Sequence, residues 1–392
     1  MAGTHRMLAT ALTRYADILW VDLPVSPITR SSTRYGTGRI PMPRLRPVAD
    51  NITALFPAVL PFHSRPGIRR TSPILVRSQI SWALRRLGRR PDAVLDARLG
   101  RMLGGWGDGV TDVLYGTDDF VAGAALMGIS AARVRADERY SLDAADLVMA
   151  VSEPLRDRWQ ALGADVLLVP NGVRTEPYAD LDRVAPAPDV RLPRPIAGVV
   201  GQLSARIDIA LLEAVVAGGC SLLLVGPCDP RWEPERFARL CARPEVQWVG
   251  FQPYESLPSY LGVIDVGLTP YVDSEFNRAS FPLKTLEYLA AGLPTVSTDL
   301  PATRWLNTDL VRITSDVGEF AKTAAALGHE RLADQRSGEG AGSAAGSLVR
   351  ARRSFAEQHS WPARAEVVAR AMKLSTVDIT TGAETGAGVG GQ

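Results

Sequence analysis

The chain has 392 residues, enough for two domains, and its 46% hydrophobic and 22% charged residues allow a sizeable core. It contains no apolar run long enough to cross a bilayer and no charged-then-apolar amino-terminal signal, which predicts a cytoplasmic protein. Three cysteines without metal-type spacing and only four histidines argue against a metal centre built from these residues.

The net charge of +2 is unevenly distributed. Residues 1–90 hold 15 arginines, no lysine and three aspartates, a formal charge of +12. A basic half of this kind suits an anionic acceptor or peripheral contact with the inner face of a membrane, and no nucleic acid is expected as a partner. The alternative is compositional, because the whole chain prefers arginine, with lysine only at positions 284, 322 and 373.

In the first half, short apolar runs alternate with helical patterns. Strands are predicted at 16–24, 52–56, 92–97, 112–119, 145–152 and 165–173, with helices over 8–16 and 153–162. This alternation predicts a doubly wound α/β domain over residues 1–178, followed by a proline-rich linker at 179–195.

The second half repeats the pattern more regularly. Strands are predicted at 195–200, 221–225, 246–249, 265–270, 294–298 and 310–314, separated by helices at 207–218, 234–242 and 257–262 and one starting near Ser280. We expect a second doubly wound domain over 196–334, with ligands beyond the carboxyl ends of its strands. A flexible loop is expected at 335–348, a helix at 356–373 that packs back on the first domain, and a disordered tail at 375–392.

The helix near Ser280 carries the most specific pattern. Pro282 suits its first turn and Gly292 its end. Lys284 and Glu287 lie about one turn apart. A helix start favours phosphate, a lysine can neutralise a diphosphate, and a carboxylate can accept hydrogen bonds from ribose hydroxyls, so the pattern predicts a nucleotide-sugar site. The alternative is an amphipathic crossover helix with ordinary surface charges.

Residues 277–299, NRASFPLKTLEYLAAGLPTVSTD, resemble the donor-binding region of GT-B glycosyltransferases, close to glycosyltransferase family 4 and its teichuronic-acid and surface-polysaccharide subgroup. The similarity is strongest over residues 145–305. It implies two facing Rossmann-like domains with a cleft between them, the donor on the second domain and the acceptor on the first. It also implies retention of configuration at the anomeric carbon.

The resemblance further implies a set of donor-binding residues on the second domain: Gly201, Gln202, Arg206, Gly226, Phe251, Leu283, Lys284 and Glu287. Arg206 stands near the position where relatives carry a phosphate-binding lysine. Phe251 is expected at the nucleobase, with core packing as the alternative. A departure occurs at Ala279, where many family members have a glutamate near the donor sugar.

On the first domain, Asp118 and Asp119 end a strand and are predicted to be catalytic, with helix capping as the alternative. Gly3 and His5 resemble the acceptor-side loop that follows the family's first strand. No such strand precedes them in this sequence. We therefore expect unpaired strand edges, poor solubility, and a chain that is a truncated reading of a longer protein.

The function implied is transfer of a sugar from a nucleoside-diphosphate sugar to a hydroxyl of an acceptor glycan or lipid, in surface-polysaccharide or glycolipid synthesis. No cofactor or metal is expected, since the donor domain has no Asp-x-Asp motif. Two alternatives remain. One is a catalytically silent scaffold that binds a sugar nucleotide or a partner, which Ala279 favours. The other is a nucleotide-sugar epimerase of the same fold.

Overall fold

The computed structural model describes residues 4–24, 43–61, 68, 71–281, 283–337 and 344–375. Gly3, Pro282, part of the expected flexible loop and nearly all of the expected disordered tail lie outside these ranges. The expectations placed on those residues therefore stay predictions.

The first half contains seven strands and four helices within the described residues. The strands are β1 (Ile18–Val21), β2 (Arg44–Ala49), β3 (Ile52–Phe56), β4 (Ala93–Asp96), β5 (Thr111–Gly116), β6 (Leu147–Ala150) and β7 (Val166–Leu168). The helices are α1 (Thr4–Leu12), α2 (Thr71–Leu87), α3 (Ala131–Ala144) and α4 (Glu153–Ala161). Each strand predicted for this half is present. The antiparallel strand β2 was not predicted.

These strands form two sheets. One has the order β1-β3-β2 and the other is a parallel sheet of order β4-β5-β6-β7. Among the described residues, β1 and β4 each pair with a strand on one side only. All four residues of β1 are half-buried, although strands inside a doubly wound sheet are normally covered on both faces. Every open sheet ends in such edge strands, so the expectation of a missing strand stays a prediction.

The second half forms one parallel sheet of order β10-β9-β8-β11-β12-β13. Its strands are β8 (Ile196–Val200), β9 (Ser221–Val225), β10 (Val246–Trp248), β11 (Val266–Thr269), β12 (Thr295–Ser297) and β13 (Val311–Ile313). Its helices are α5 (Ile209–Ala217), α6 (Pro234–Cys241), α7 (Leu257–Leu261), α8 (Glu275–Ala279), α9 (Leu283–Ala290), α10 (Pro301–Trp305) and α11 (Val317–Ser337). The sequence predicts all of these strands but misses the helices α8, α10 and α11.

Two helices follow, α12 (Ala344–Gln358) and α13 (Trp361–Ala371). The helix expected over 356–373 is therefore interrupted at 359–360, and the described ends of the loop expected at 335–348 are helical. Helix α13 lies beside α1, where Trp361, Ala365 and Val368 join Leu8 and Leu12 in one hydrophobic cluster. The end of the chain's described part is therefore packed on the first half.

Buried side chains of both halves also meet in a shared cluster. Trp159 of α4, Tyr178 of the connecting segment and Leu289 of α9 all belong to it, each almost fully buried. Tyr178 lies in a short 3-10 helix, Glu176–Tyr178, that follows the first half. The cluster packs the two halves against each other.

Candidate active site

Three glycines lie at the carboxyl ends of neighbouring strands in the second sheet. Gly201 follows β8 with φ 141°, and Gly226 follows β9 with φ 143°. The Gly201 amide donates to Val225 O, and the Gly226 amide donates to the carbonyl of Gly250, both at 2.8 Å. A Cβ at Gly226 would overlap the Gly201 carbonyl. Only glycine therefore suits position 226, which is buried and lets the Gly201 turn pack directly on it.

Helix α9 begins beneath the Gly201 turn and supplies the predicted charged pair. A Cβ built on Gly201 would lie 3.5 Å from Lys284 Cε, so the lysine stem runs along this turn. Lys284 Nζ lies 2.6 Å from Glu287 Oε2, and only 11% of the Glu287 side chain is exposed. Burial lowers the pKa of Lys284, but the charge and hydrogen bond of Glu287 outweigh this and raise it. The ammonium is thus held in its charged form, ready for an anion.

Ser280 was expected near the start of this helix, and that expectation was wrong. Helix α9 begins at Leu283, whereas Ser280 ends the preceding helix, α8. The Ser280 hydroxyl lies 2.8 Å from Phe276 O and 3.2 Å from Asp118 Oδ1. Ser280 therefore joins the donor side of the cleft to the first half.

Asp118 is the carboxylate that the first half places against α8. Burial raises the pKa of Asp118, while the Arg206 guanidinium and the Ser280 hydroxyl oppose that shift. A carboxylate of raised pKa facing a cleft suits proton transfer. The structure thus brings Asp118 together with Arg206, one of the predicted donor-binding residues.

Asp119 has a different environment. Its Oδ1 accepts hydrogen bonds from the amides of Val121 and Ala122, at 3.0 and 2.9 Å. Its Oδ2 lies 3.0 Å from Arg158 Nε, and Arg158 also binds Glu138. Both oxygens of Asp119 are thus engaged, but residues 120–128 form turns, so Asp119 caps a turn and not the helix of the alternative interpretation.

The remaining predicted donor residues lie around the same edge. Gln202 is exposed, and Phe251 is 70% exposed directly after Gly250, so Phe251 is not a core residue. Leu283 instead packs against the hydrophobic cluster of the first half. The nucleobase role of Phe251 stays a prediction, supported by its exposure beside the glycine turns.

On the acceptor side, His5 Nε2 lies 3.1 Å from Thr117 Oγ1, next to Asp118 in the chain. Burial, with a smaller effect of Arg98, lowers the pKa of His5 to about 4. His5 is therefore neutral at pH 7. The companion residue Gly3 lies outside the described residues.

The sequence missed the residues that hold Arg206. Arg206 Nε donates to Asn277 Oδ1 at 2.8 Å, and the guanidinium lies 4.9 Å from the centre of the Phe276 ring. Both residues belong to α8, whose start could have been recognised from Ser274, because its hydroxyl caps the Asn277 amide.

Within the described ranges, no three His, Cys, Asp or Glu side chains form a group able to hold a metal ion. No helix in the same ranges is long and apolar enough to span a membrane.

Comparison with known proteins identifies the second half. The family model described as Glycosyl transferases group 1 matches residues 194–329. This segment is therefore similar to group 1 glycosyltransferases. The Bacillus subtilis (strain 168) protein TuaH, named as a teichuronic acid biosynthesis glycosyltransferase, is 34% identical over 139 residues. The matched segment covers 34% of this chain and 34% of TuaH, so the chain spans about a third of the length of this relative.

Solved structures resemble nearly the whole chain. Sucrose-phosphate synthase from Thermosynechococcus elongatus has a TM-score of 0.66 at 17% identity, covering 94% of this chain and 92% of its own. Trehalose-phosphate synthase from Burkholderia xenovorans has a TM-score of 0.62 at 14% identity, and the match covers 95% of this chain and 96% of the synthase. HepE from Anabaena, solved with UDP-glucose, has a TM-score of 0.56 at 12% identity, covering 82% and 85%. These likenesses confirm the expected GT-B fold.

Proposed function

We propose that this protein is a glycosyltransferase that moves a sugar from a nucleoside-diphosphate sugar to an acceptor hydroxyl. The observation that carries the proposal is the Lys284–Glu287 pair, which lies beneath the Gly201 turn in the segment similar to group 1 glycosyltransferases. The lysine would bind the diphosphate, and the carboxylate would bind the ribose.

The charges of the cleft fit this chemistry. Negative charge develops on the leaving diphosphate in the transition state, and fixed positive groups in a partly buried site stabilise it. Lys284 and Arg206 supply two such groups from the donor side. We propose that they make an added metal unnecessary, which turnover in the presence of EDTA would support. Asp118 faces them from the first half and would receive the proton of the acceptor hydroxyl.

The acceptor and pathway rest on similarity alone. Because TuaH is named for teichuronic acid biosynthesis, we propose an acceptor in surface-polysaccharide or glycolipid synthesis. The resemblance to glycosyltransferase family 4 supports retention at the anomeric carbon, which NMR of the product would reveal.

A panel of UDP-, GDP- and ADP-sugars tests the donor. A ligand that binds only the folded state raises the melting temperature. At a ligand concentration of a hundred times Kd, the free energy of unfolding increases by about 2.7 kcal/mol. We expect one base to stabilise the protein clearly, beginning the panel with UDP-glucose because HepE was solved with it. Absence of any shift with all three bases would contradict the proposal. Donor binding without turnover on any acceptor would favour the silent scaffold.

We also propose peripheral contact with an anionic membrane through the basic first half. Arg44 and Arg46 lie exposed on β2, and Arg85, Arg86, Arg89 and Arg90 lie exposed at and beyond the end of α2. Each basic residue near an anionic surface contributes about 1 kcal/mol, and salt screens this attraction. We expect cosedimentation with vesicles containing anionic lipid at low salt and release at high salt. Equal binding to neutral vesicles would contradict the proposal.

A further inference from the structure

The side chain of Arg206 is held from three directions. Its Nε donates to Asn277 Oδ1 at 2.8 Å, and its guanidinium carbon lies 4.9 Å from the Phe276 ring centre and 5.5 Å from that of Tyr271. A long arginine side chain loses much rotamer freedom when it is fixed in this way. Its guanidinium is therefore directed before any ligand arrives.

Asn277 fixes the backbone of Arg206 as well. It is 2% exposed, and its Nδ2 donates to Arg206 O at 3.0 Å and to Val272 O at 2.9 Å. The Asn277 side chain thus uses its amide oxygen and amide nitrogen on two neighbouring loops, the one after β8 and the one after β11. Such a fully satisfied buried amide specifies a single arrangement, since any other would leave polar atoms unpaired.

Helix α8, which carries Phe276 and Asn277, is itself held by the first half. A Cβ built on Gly123 would lie 2.7 Å from the Phe276 ring, so the ring packs directly on this glycine. Ser152 Oγ donates to Ala279 O, and Ser280 bonds Asp118. A continuous set of contacts therefore runs from the first half through α8 to Arg206.

We propose that Asn277 and Phe276 are positioning residues that hold Arg206 toward the donor diphosphate, and that packing of Gly123 on Phe276 keeps them in place. The first half then contributes to donor-phosphate binding without touching the donor. This inference rests on the proposed function, because it assigns Arg206 to the diphosphate. Loss of these positioning residues should therefore weaken binding of the diphosphate and leave binding of the nucleoside unchanged.

The test compares UDP with uridine, and GDP with guanosine, by calorimetry on the full chain. The ratio of nucleoside Kd to diphosphate Kd reports the phosphate contribution. We expect Asn277→Ala and Gly123→Ala each to lower this ratio about tenfold with nucleoside affinity unchanged, as for loss of one charge-assisted contact. Lys284→Met, which removes a cation from the same site, serves as the reference for a lowered ratio.

Gly123→Ala keeps the test informative if Asn277→Ala does not fold, because its Cβ overlaps the Phe276 ring at 2.7 Å and approaches the Asp119 carbonyl oxygen less closely, at 3.3 Å. Gly318→Ala on α11 is the matched control, since a Cβ there meets nothing closer than 3.5 Å. A lowered ratio in Lys284→Met with a wild-type ratio in folded Gly123→Ala would overturn the inference. If wild-type protein binds none of UDP, GDP and ADP, the proposed function fails instead.

Discussion

Replacing Asp118 with asparagine should slow turnover about 10²- to 10⁴-fold, the usual contribution of a general acid or base. Donor affinity should remain nearly unchanged, because Asp118 lies on the first half and no donor contact is assigned to it. Asparagine keeps the shape of the side chain and can still bond Ser280. Steady-state rates with saturating donor, together with donor Kd from calorimetry, check both parts.

The neighbouring Asp119→Asn variant is the internal control. Both oxygens of Asp119 are occupied by backbone amides and Arg158, so this change should lower the melting temperature more than the specific activity. A normal rate in Asp118→Asn, or equal rate losses in both variants, would contradict the assignment of Asp118.

The pH dependence has a definite sign. A base must be ionised, and burial raises the pKa of Asp118 above its ordinary value of 3.8. Turnover should therefore rise with pH through this raised pKa. The free energy of unfolding should instead fall as pH rises, since the folded state holds this proton more tightly than the unfolded state does. That contribution is complete below the unfolded pKa and is lost as pH rises through the folded pKa.

Replacing Glu287 with alanine should weaken donor binding about ten- to a hundredfold, corresponding to roughly 1.5–3 kcal/mol for a charge-assisted hydrogen bond. The change also frees Lys284 from its partner, so diphosphate contacts could partly compensate. Nucleoside binding reports the ribose contact without that compensation. Calorimetry with a nucleoside and its diphosphate therefore separates the two effects.

The matched control is Glu213→Ala. It removes an ion pair of the same length, 2.6 Å, between Arg236 and Glu213, whose carboxylate is more exposed than that of Glu287. Exposed pairs contribute about 0–1 kcal/mol to stability, so Glu213→Ala should leave both folding and binding almost intact. If Glu287→Ala binds nucleoside as tightly as the wild type, Glu287 does not hold the ribose.

The sequence was most informative where local pattern decides the structure. Short apolar runs such as 221–225 predicted the parallel strands, and the spacing of Lys284 and Glu287 predicted their contact. Interactions between distant residues were missed. Asp118 and Asp119 are neighbours in the chain, but their environments differ through distant partners. Arg158 lies 39 residues from Asp119, and Ser280 lies 162 residues from Asp118.

Helix α8 illustrates the same limit. It has only five residues, Glu275–Ala279, and too few apolar positions to show a helical period. Its role depends on Asn277 meeting Arg206, 71 residues earlier in the chain. Such a pairing follows from the packing of the two halves, which no local spacing encodes.

Strand β1 pairs with β3 on one side only, and this pairing determines which of its amides are protected from hydrogen exchange. The amides of Ile18 and Asp22 donate toward the β3 side, to Asn51 O and Leu55 O. Successive amides alternate in direction, so those of Leu19 and Val21 point toward the edge that lacks a partner among the described residues. Hydrogen exchange should therefore alternate between slow and fast along this one strand. The fast positions mark where another extended segment could add to the sheet, and where association between chains would begin.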